Sequence, residues 1–402
     1  MKEGVNKFFE EYLQKQPLFK NKHVLDSDYT PKIIPHRKEQ IDQIAGILAP
    51  SLRKEKPSNL FIYGKTGSGK SLSVQYIAGE VLSLAEKNKI SLKMIYLNCK
   101  LKRVADTEYR LIAQITRDLG EEVPPTGLPT DEVYKLFLHT LEKQNILLIL
   151  VLDEIDQLLT KMGDEILYNL TRLNTELKNS KISLIGITND LSFANNLDPR
   201  VKSSLSEEEL LFPPYDAYQL QSILRQRAKL GFRNGTIEDG VIEKCAAYAA
   251  REHGDARRAL ALLRIAGELA ERNNHNTITI QHIDLAEEKI ERDRVLDSVN
   301  TQPKQFKLVL YSIFTVSQQN NGSRLFTGDL YEIYKEASFK NGVRPLTQRR
   351  VSDIIAELDM SGIINAKVIS KGRYGRTREI CLAIPPSTIP KLTQSLKEGL
   401  NL

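Results

Sequence analysis

Short continuous runs of apolar residues recur along the first half of the chain, at residues 60–63, 94–97, 146–152 and 182–187. Each run has the length of a strand, and unbroken apolar character is typical of strands covered on both faces in a parallel sheet. Residues 71–88 instead carry apolar side chains at helical spacing. Because strand patterns alternate with helical ones, the sequence predicts an α/β fold with a doubly wound parallel sheet.

A glycine-rich segment, GKTGSGKS, follows the first apolar run and fits the pattern G-x-x-x-x-G-K-[ST] between a strand and a helix. Its glycines let backbone N–H groups wrap an anion at the positive end of the helix that begins near Lys70. Lys70 would reach the β- and γ-phosphates of ATP, or the β-phosphate of ADP, and the Ser71 hydroxyl would hold Mg²⁺. The alternative is a glycine-rich turn before an ordinary helix. The predicted nucleotide contacts of this loop are Gly64, Lys65, Thr66, Gly67, Ser68, Gly69, Lys70, Ser71 and Leu72.

Acidic and amide side chains follow two of the later apolar runs. Asp153 and Glu154 come directly after residues 146–152, where buried carboxylates are costly unless they have a role. Asp153 suits Mg²⁺ binding, and Glu154 suits the base that polarises an attacking water; an acidic helix N-terminus would explain Asp156 but explains Asp153 poorly. Asn189 follows the next run, at the sheet edge where ligands bind, and could orient the water or touch the γ-phosphate. Asn-Asp after a strand is also ordinary turn chemistry.

The length of 402 residues predicts two or three domains, because one hydrophobic core rarely supports so long a chain. With 41% hydrophobic and 27% charged residues, we expect a soluble, ordered, cytoplasmic protein without a membrane partner. No apolar stretch has the length of a membrane span, and the first residues are too polar for a signal peptide. The spacing of cysteines and histidines indicates neither a disulfide framework nor a zinc site.

The net charge of +6 is concentrated in the last hundred residues. Residues 301–402 contain 15 Lys+Arg and 8 Asp+Glu, a net +7, which leaves 42 basic and 43 acidic residues in the rest. A near-neutral body with a basic tail indicates a polyanionic partner, most often nucleic acid. A solvated basic face without a partner is the alternative.

The basic tail predicts three helices followed by a hairpin. The helical patterns cover residues 307–316, 327–340 with Thr327 as the cap, and 347–359. Two strand patterns joined by a glycine-containing loop follow, which completes the plan of a winged-helix domain. Such a domain places its third helix in the major groove, and winged helices also mediate protein contacts. The predicted DNA contacts are Thr347, Gln348, Arg349 and Ser352 on the third helix, and Lys371, Arg373, Tyr374, Arg376 and Arg378 on the hairpin.

Six motifs, taken in order, resemble the archaeal replication initiators related to origin recognition complex subunit one and cell division control protein six: GKTGSGKS, LVLDEID, IGITND, LDPRVKSSL, FPPYDAYQLQSILRQRA and GDARRALALLRIAGELA. The resemblance covers essentially the whole chain. It implies an AAA+ base that binds nucleotide, an all-α lid and a C-terminal winged-helix domain. The implied boundaries are 1–20 for an N-terminal arm, 21–214 for the base with an insertion near 120–134, 215–297 for the lid and 298–402 for the winged helix.

The resemblance also assigns residues outside the phosphate loop. Arg257 matches the family's second sensor, which reaches from the lid to the γ-phosphate, and Arg258 competes for that role. Arg200 matches the arginine finger that acts on a neighbouring subunit's nucleotide, or is structural if the protein works alone. Tyr29 and Ile34 fall in the segment beside the adenine, or pack on the lid. Further assigned positions are Tyr215 and Arg227 for nucleotide, and Thr126, Gly127 and Leu128 of the insertion for DNA.

The insertion is acidic, so its side chains are poorly suited to phosphate, and a plain connecting loop would explain its prolines equally well. From the whole sequence we expect an ATP-binding, slowly hydrolysing replication initiator that is nucleoid-associated. It would recognise double-stranded origin DNA and promote loading of the replicative helicase, together with paralogous initiators. Two alternatives remain: a paralogue that acts as an ATP-bound regulator or repressor, and a clamp-loader-like ring ATPase.

Overall fold

The computed structural model describes residues 16–100, 106–124, 127–193, 197–205, 207–319, 325–370, 376–384 and 388–400, with the backbone alone at positions 204, 207, 318, 319, 370 and 376. The chain divides into two compact units, and the boundary falls between Ile283 and Asp284. None of the helices in the described ranges combines the length and apolar character that a membrane span requires.

One parallel sheet forms the centre of the first unit. Its strands are β1 (Asn59–Gly64), β2 (Leu92–Asn98), β3 (Leu147–Asp153), β4 (Lys181–Thr188) and β5 (Glu207–Phe212). They lie in the order β2-β3-β4-β1-β5, and every neighbouring pair is parallel. The predicted parallel sheet is therefore confirmed. The edge strand β5 was not predicted, because its three leading glutamates hide the strand pattern.

Alternate residues of the central strands pack on opposite faces of this sheet. Leu60 and Ile62 belong to one apolar cluster, whereas Phe61 belongs to another. The first cluster is covered by α1 (Lys38–Leu48) and α2 (Lys70–Lys87), and the second by α3 (Glu108–Asp118), α4 (Thr130–Gln144), α5 (Ile155–Met162), α6 (Glu165–Arg172) and α7 (Pro199–Leu205). Burial on both faces explains why these strands are almost continuously apolar.

Helices α8 (Ala217–Gly231), α9 (Val241–Arg251) and α10 (Ala256–Arg272) follow the sheet, and α11 (Ile280–Asn300) crosses the boundary between the units. We refer to α8–α10 and the turns between them as the lid. The chain before the sheet packs on this lid: the Phe19 ring lies 4.7 Å from that of Phe232, centroid to centroid. The backbone N–H of Lys20 donates to the Gly231 carbonyl at 2.8 Å. Residues 16–25 are thus fixed to the lid.

The second unit contains α12 (Lys304–Gln319), α13 (Thr327–Lys340), α14 (Gln348–Met360) and α15 (Ile389–Leu400), with strands β6 (Leu325–Phe326), β7 (Ile364–Ser370) and β8 (Arg376–Leu382). The strands form an antiparallel sheet in the order β6-β8-β7. The three predicted helices and the hairpin are confirmed. The short β6 and the final helix α15 were not predicted.

The predicted cap of the second of these helices is wrong. Phe326 is the N-cap residue of α13, and Thr327 is its first helical residue. The Thr327 hydroxyl faces β8 instead, where it accepts a hydrogen bond from the Arg378 N–H at 3.3 Å. Pairing of β6 with β8 fixes this orientation, and such pairing cannot be read from local sequence.

Gly186 marks a tightly packed point in the sheet. It is paired with Phe61 in β1 and with Leu152 in β3. A Cβ atom at position 186 would overlap the Phe61 ring and come within 3.1 Å of Ile155 Cδ1. The Phe61 ring is almost fully buried, so it has little room to move.

We therefore expect Gly186→Ala to lower the free energy of unfolding by about 1–3 kcal/mol, because extra atoms in a packed core force strain. Chemical denaturation followed by circular dichroism measures the change. Gly79→Ala is the matched control: Gly79 is exposed within α2 with nothing within 4 Å of its missing Cβ. That variant should gain about 0.5–1 kcal/mol from helix propensity. Equal stabilities for the two variants would contradict this account.

Candidate functional site

A cavity of about 570 Å³ lies in the first unit, at the carboxyl edge of the sheet and against the lid. Its volume falls within the range of roughly 300–1,000 Å³ that is usual for ligand sites. It collects most of the nucleotide-site residues predicted from the sequence. Those that line it are Tyr29, Ile34, Thr66, Gly67, Gly69, Lys70, Ser71, Leu72, Asp153, Glu154, Asn189, Tyr215, Arg227 and Arg257.

The remaining three residues of the predicted loop act through their backbone. Lys70 is the first residue of α2, as predicted, and its ammonium group donates to the carbonyl oxygens of Gly64 and Lys65 at 2.7 and 2.9 Å. The carbonyl of Ser68 accepts a hydrogen bond from Arg37 at 2.8 Å. These contacts tie the loop to itself and to a neighbouring segment.

At two positions of the loop, glycine is required both by the backbone conformation and by the close approach of neighbouring residues. Gly67 and Gly69 have φ angles of +71° and +91°, which side-chain-bearing residues seldom adopt. A Cβ atom on Gly67 would overlap Asp255 Oδ1, and one on Gly69 would lie 2.8 Å from the Tyr215 hydroxyl. In addition, the Ala256 N–H donates to the Gly67 carbonyl at 3.3 Å. The lid therefore touches the loop directly.

Lys70 joins the loop to the end of β4. Its ammonium group donates to Asn189 Oδ1 at 2.9 Å, so two residues predicted separately from the sequence are in contact. Lys70 is buried, and burial lowers the pKa of its ammonium group to about 8, which the nearby Asp153 carboxylate partly opposes. The site thus holds a desolvated cation beside the sheet edge.

Asp153 is held by a tyrosine that the sequence analysis missed. The Tyr96 hydroxyl donates to Asp153 Oδ2, and the Glu154 N–H donates to Asp153 Oδ1 at 2.9 Å. Burial raises the pKa of the Tyr96 phenol, and the adjacent Asp153 carboxylate raises it further. Pairing of β2 with β3 places Tyr96 there. A tyrosine within an apolar strand carried no sequence signal for this contact.

Glu154 occupies a left-handed backbone conformation, with φ +55°, at the N-cap of α5. Its carboxylate lies 3.8 Å from the Lys100 ammonium group. Asp156 lies in the first turn of α5 and accepts a hydrogen bond from the Thr188 hydroxyl at 2.9 Å. Glu154 and Asp153 therefore face the cavity, whereas Asp156 braces the helix start, as its alternative explanation suggested.

The two candidate lid arginines point in different directions. Arg257 is exposed and lines the cavity. Arg258 pairs with Glu252 at 2.8 Å, and its side chain is only 14% exposed. Asp255 caps α10 by accepting hydrogen bonds from the backbone N–H groups of both arginines, at 2.8 and 3.3 Å. Of the two, the geometry favours Arg257 as the residue that can reach a ligand.

Residues 26–36 cross from the lid to the base along the cavity, and we call this segment the strap. Arg227 of the lid holds one end: it donates to the Val24 and Tyr29 carbonyls at 3.1 and 3.4 Å and lies over the Tyr29 ring. Arg227 thus lines the cavity while both of its terminal nitrogens donate to backbone carbonyls. Ile34 is buried within the strap, whereas Ile33 is 74% exposed.

Arg200 does not line the cavity. It is exposed near the start of α7 and forms an ion pair with Asp198 at 3.3 Å. Its predicted role on a neighbouring subunit's nucleotide therefore stays a prediction.

The predicted DNA contacts on α14 lie together. Thr347 is the N-cap of this helix, accepting from the Arg350 N–H at 3.5 Å, and Gln348 and Arg349 are exposed beside it. Ser352 is half-buried one turn on, and Asp353 pairs with Arg350 at 3.5 Å. Other contacts fall elsewhere: Arg376 and Arg378 begin β8, Gly127 and Leu128 precede α4, and Thr126, Lys371, Arg373 and Tyr374 lie outside the described residues.

The fold and the cavity together define a P-loop protein of the AAA+ type with a C-terminal winged-helix unit. Three family models match the chain: an AAA domain over residues 53–192, a Cdc6 AAA+ ATPase-type lid domain over 221–288, and a CDC6 C-terminal winged-helix domain over 297–391.

The chain is similar over nearly its full length to ORC1-type DNA replication proteins. It is 51% identical to one from Pyrococcus abyssi, covering 98% of this chain and 97% of the relative, and 49% identical to one from Methanosarcina acetivorans, covering 97% and 94%. The Aeropyrum pernix ORC1 protein, solved in complex with DNA, matches with a TM-score of 0.80 and 44% identity over 96% of this chain and 98% of that one. The chain belongs to the ORC1/Cdc6 family of DNA replication initiators.

The different surroundings of Arg257 and Arg258 can be tested by measurements of protein stability alone. We expect Arg258→Ala to lower the free energy of unfolding by about 1–3 kcal/mol, because Glu252 loses a partly buried charged partner. Arg257→Ala should stay within about 0.5 kcal/mol of the wild type, as exposed substitutions usually do. Urea denaturation at constant salt measures both. A larger loss for Arg257→Ala than for Arg258→Ala would contradict the assignment.

Proposed function

We propose that this protein binds ATP between its base and lid and uses slow hydrolysis to reset a DNA-bound state. The observation that carries the proposal is the convergence of Lys70, Asp153, Glu154, Asn189 and Arg257 on one cavity beside the phosphate loop. Lys70 and Arg257 supply positive charge from base and lid. The loop adds backbone N–H groups at the N-terminus of α2.

The donor set also suits Mg²⁺. Ser71 offers a hydroxyl and Asp153 a carboxylate, both lining the same cavity, and Mg²⁺ prefers such hard oxygen ligands. When bound, the ion would neutralise charge on the phosphates. The Tyr96 hydroxyl orients the Asp153 carboxylate through their hydrogen bond. The AAA+ relationship supports nucleotide use in general, and ATP with Mg²⁺ is our specific proposal.

In hydrolysis, Glu154 would accept a proton from the attacking water, and Asn189 would orient that water. Arg257 would stabilise negative charge on the γ-phosphate from the lid. Arg200, which lies outside the cavity, would act on the nucleotide of a neighbouring paralogous initiator if subunits assemble. We propose slow turnover because the pairing of Glu154 with Lys100 competes with its use as a base.

Two substitutions should separate binding from turnover. Lys70→Ala should weaken ATP binding by about a hundredfold or more, because the phosphates lose a desolvated charged partner. Glu154→Gln should retain binding and lower kcat by roughly 10²–10⁴, the usual contribution of a general base. Titration with a fluorescent ATP analogue and single-turnover phosphate release measure the two quantities. Wild-type turnover in Glu154→Gln would refute its role as the base.

We also propose that the second unit binds double-stranded origin DNA and that the bound protein promotes loading of the replicative helicase. The A. pernix relative was solved with DNA, and this chain shares 44% identity with it across its length. The exposed N-terminal end of α14, with Arg349 beside Thr347 and Gln348, supports major-groove contact. Arg373, which lies between β7 and β8 in the sequence, and Leu128 of the insertion are further proposed contacts.

Arg349→Ala should lower affinity for duplex DNA by about 1–3 kcal/mol if it contacts a base, and Arg373→Ala should reduce the salt slope of log Kd by about 1 if it contacts a phosphate. Fluorescence anisotropy at several salt concentrations measures both. Lys397→Ala, an exposed basic residue on α15, is the control for nonspecific loss of charge. Affinities and salt slopes that are equal in all three variants would refute the proposed interface.

A further inference from the structure

Arg37 is a buried cation of the first unit. Its residue is only 2% exposed, and within the described part of the chain it forms no ion pair with a carboxylate. A buried charge is costly unless other groups satisfy it. Arg37 ends the segment whose Tyr29 and Ile34 were expected beside the adenine, but no role was predicted for Arg37 itself, and the ATP hydrolysis proposed above does not use it.

Backbone carbonyls satisfy the guanidinium instead, and they come from three separate segments. Arg37 Nε donates to the Ser68 carbonyl at 2.8 Å, Nη2 to the Pro213 carbonyl at 2.5 Å and Nη1 to the His36 carbonyl at 3.3 Å. Ser68 belongs to the phosphate loop, and Pro213 follows the last strand of the base. The planar fork of an arginine is suited to holding such separate acceptors.

The face of the same guanidinium lies on Tyr215, the residue at which the chain enters the lid. The guanidinium carbon is 3.9 Å from the Tyr215 ring centroid. Tyr215 also contacts two glycines: a Cβ on Gly69 would be 2.8 Å from its hydroxyl, and a Cβ on Gly254 would overlap its carbonyl oxygen. Contacts therefore run without a gap from the phosphate loop through Arg37 and Tyr215 to the turn that carries Arg257.

We propose that Arg37 is a positioning residue that couples occupancy of the phosphate loop to closure of the lid. The proposal rests on the nucleotide binding proposed above. A phosphate drawn to the loop N–H groups reorients the Ser68 peptide group, whose carbonyl is bonded to Arg37. Because the guanidinium is packed against Tyr215, it cannot follow that carbonyl without moving the lid entry. Tightly packed joints of this kind transmit small displacements as discrete rearrangements.

A purely structural brace is the competing explanation. A brace would raise stability without changing how the lid responds to nucleotide. The two explanations therefore differ in one quantity, the ATP-induced change in distance between base and lid. Dyes at Lys87→Cys on α2 and Lys229→Cys on α8 report this distance, since both positions are exposed. Cys381→Ser removes the exposed native thiol, whereas Cys99 and Cys245 are buried.

Four test variants and one control variant are compared in this labelled background. Arg37→Lys keeps the charge but loses the fork, and Tyr215→Leu keeps Arg37 but removes the ring beneath it. Arg257→Ala and the double variant Arg37→Lys/Arg257→Ala complete a double-mutant cycle in which ATP affinity is measured. Ser180→Ala is the control for lost stability: the Ser180 hydroxyl is buried and bonded to the Leu141 carbonyl at 2.7 Å, and Ser180 precedes β4 at the sheet edge away from the cavity.

We expect Arg37→Lys and Tyr215→Leu each to abolish the ATP-induced change in energy transfer and to weaken ATP binding by about tenfold. Ser180→Ala should retain the ATP-induced change in energy transfer, even if its melting temperature falls as much as that of the Arg37 and Tyr215 variants. The double variant should depart from additivity by about fivefold or more, as coupled sites do.

An unchanged response in Arg37→Lys, together with additive effects in the cycle, would overturn the proposal and leave Arg37 as a brace. A full response in Tyr215→Leu would overturn it as well, because the coupling runs through that ring. If the wild-type protein bound no ATP, the proposed function itself would fail, so the two failures are distinguishable.

Discussion

The lid meets the phosphate loop backbone to backbone, and the arrangement of the site depends on this approach. It is possible because residues 67 and 69 carry no side chains: Asp255 occupies the space beside one, and the Tyr215 hydroxyl the space beside the other. The same turn that supplies Asp255 carries Arg257, so the cap of a lid helix and a cavity-lining cation are fixed together. The glycines of the loop are therefore constrained by the lid as much as by the phosphates they are expected to bind.

The parts of this molecule that could be predicted from sequence are those whose signal is local. Buried parallel strands are recognisable as apolar runs, and strand register then brings their ends to one edge: Asn98 is paired with Asp153, and Asp153 with Ile187. Residues that follow different strands, such as Glu154 and Asn189, thus reach one cavity although the chain separates them widely. The helices and hairpin of the basic tail were predictable for the same reason.

What could not be predicted depends on contacts between distant segments. Tyr96 is an ordinary aromatic strand residue until β2 is paired with β3, and only then does its hydroxyl reach Asp153. Arg37 is one of 57 basic residues, and its burial depends on segments that begin about thirty and more than 170 positions later. The local sequence predicted Thr327 as a helix cap, but the pairing of β6 with β8 places Phe326 at the cap position instead. In each case the decisive partner is distant in sequence and leaves no periodic pattern.

The N-terminal segment changes how the lid can be expected to move. Residues 16–25 are fixed to the lid, the strap then crosses to the base at Arg37, and the chain returns to the lid through residues 213–216. The lid is thus tethered to the base by two crossings, both held at the base end by one guanidinium, which bonds the carbonyls of His36 and Pro213. A body joined by a single linker is freer to move than one that is joined at two crossings. Any movement of the lid relative to the base is therefore constrained at both crossings by the contacts of Arg37.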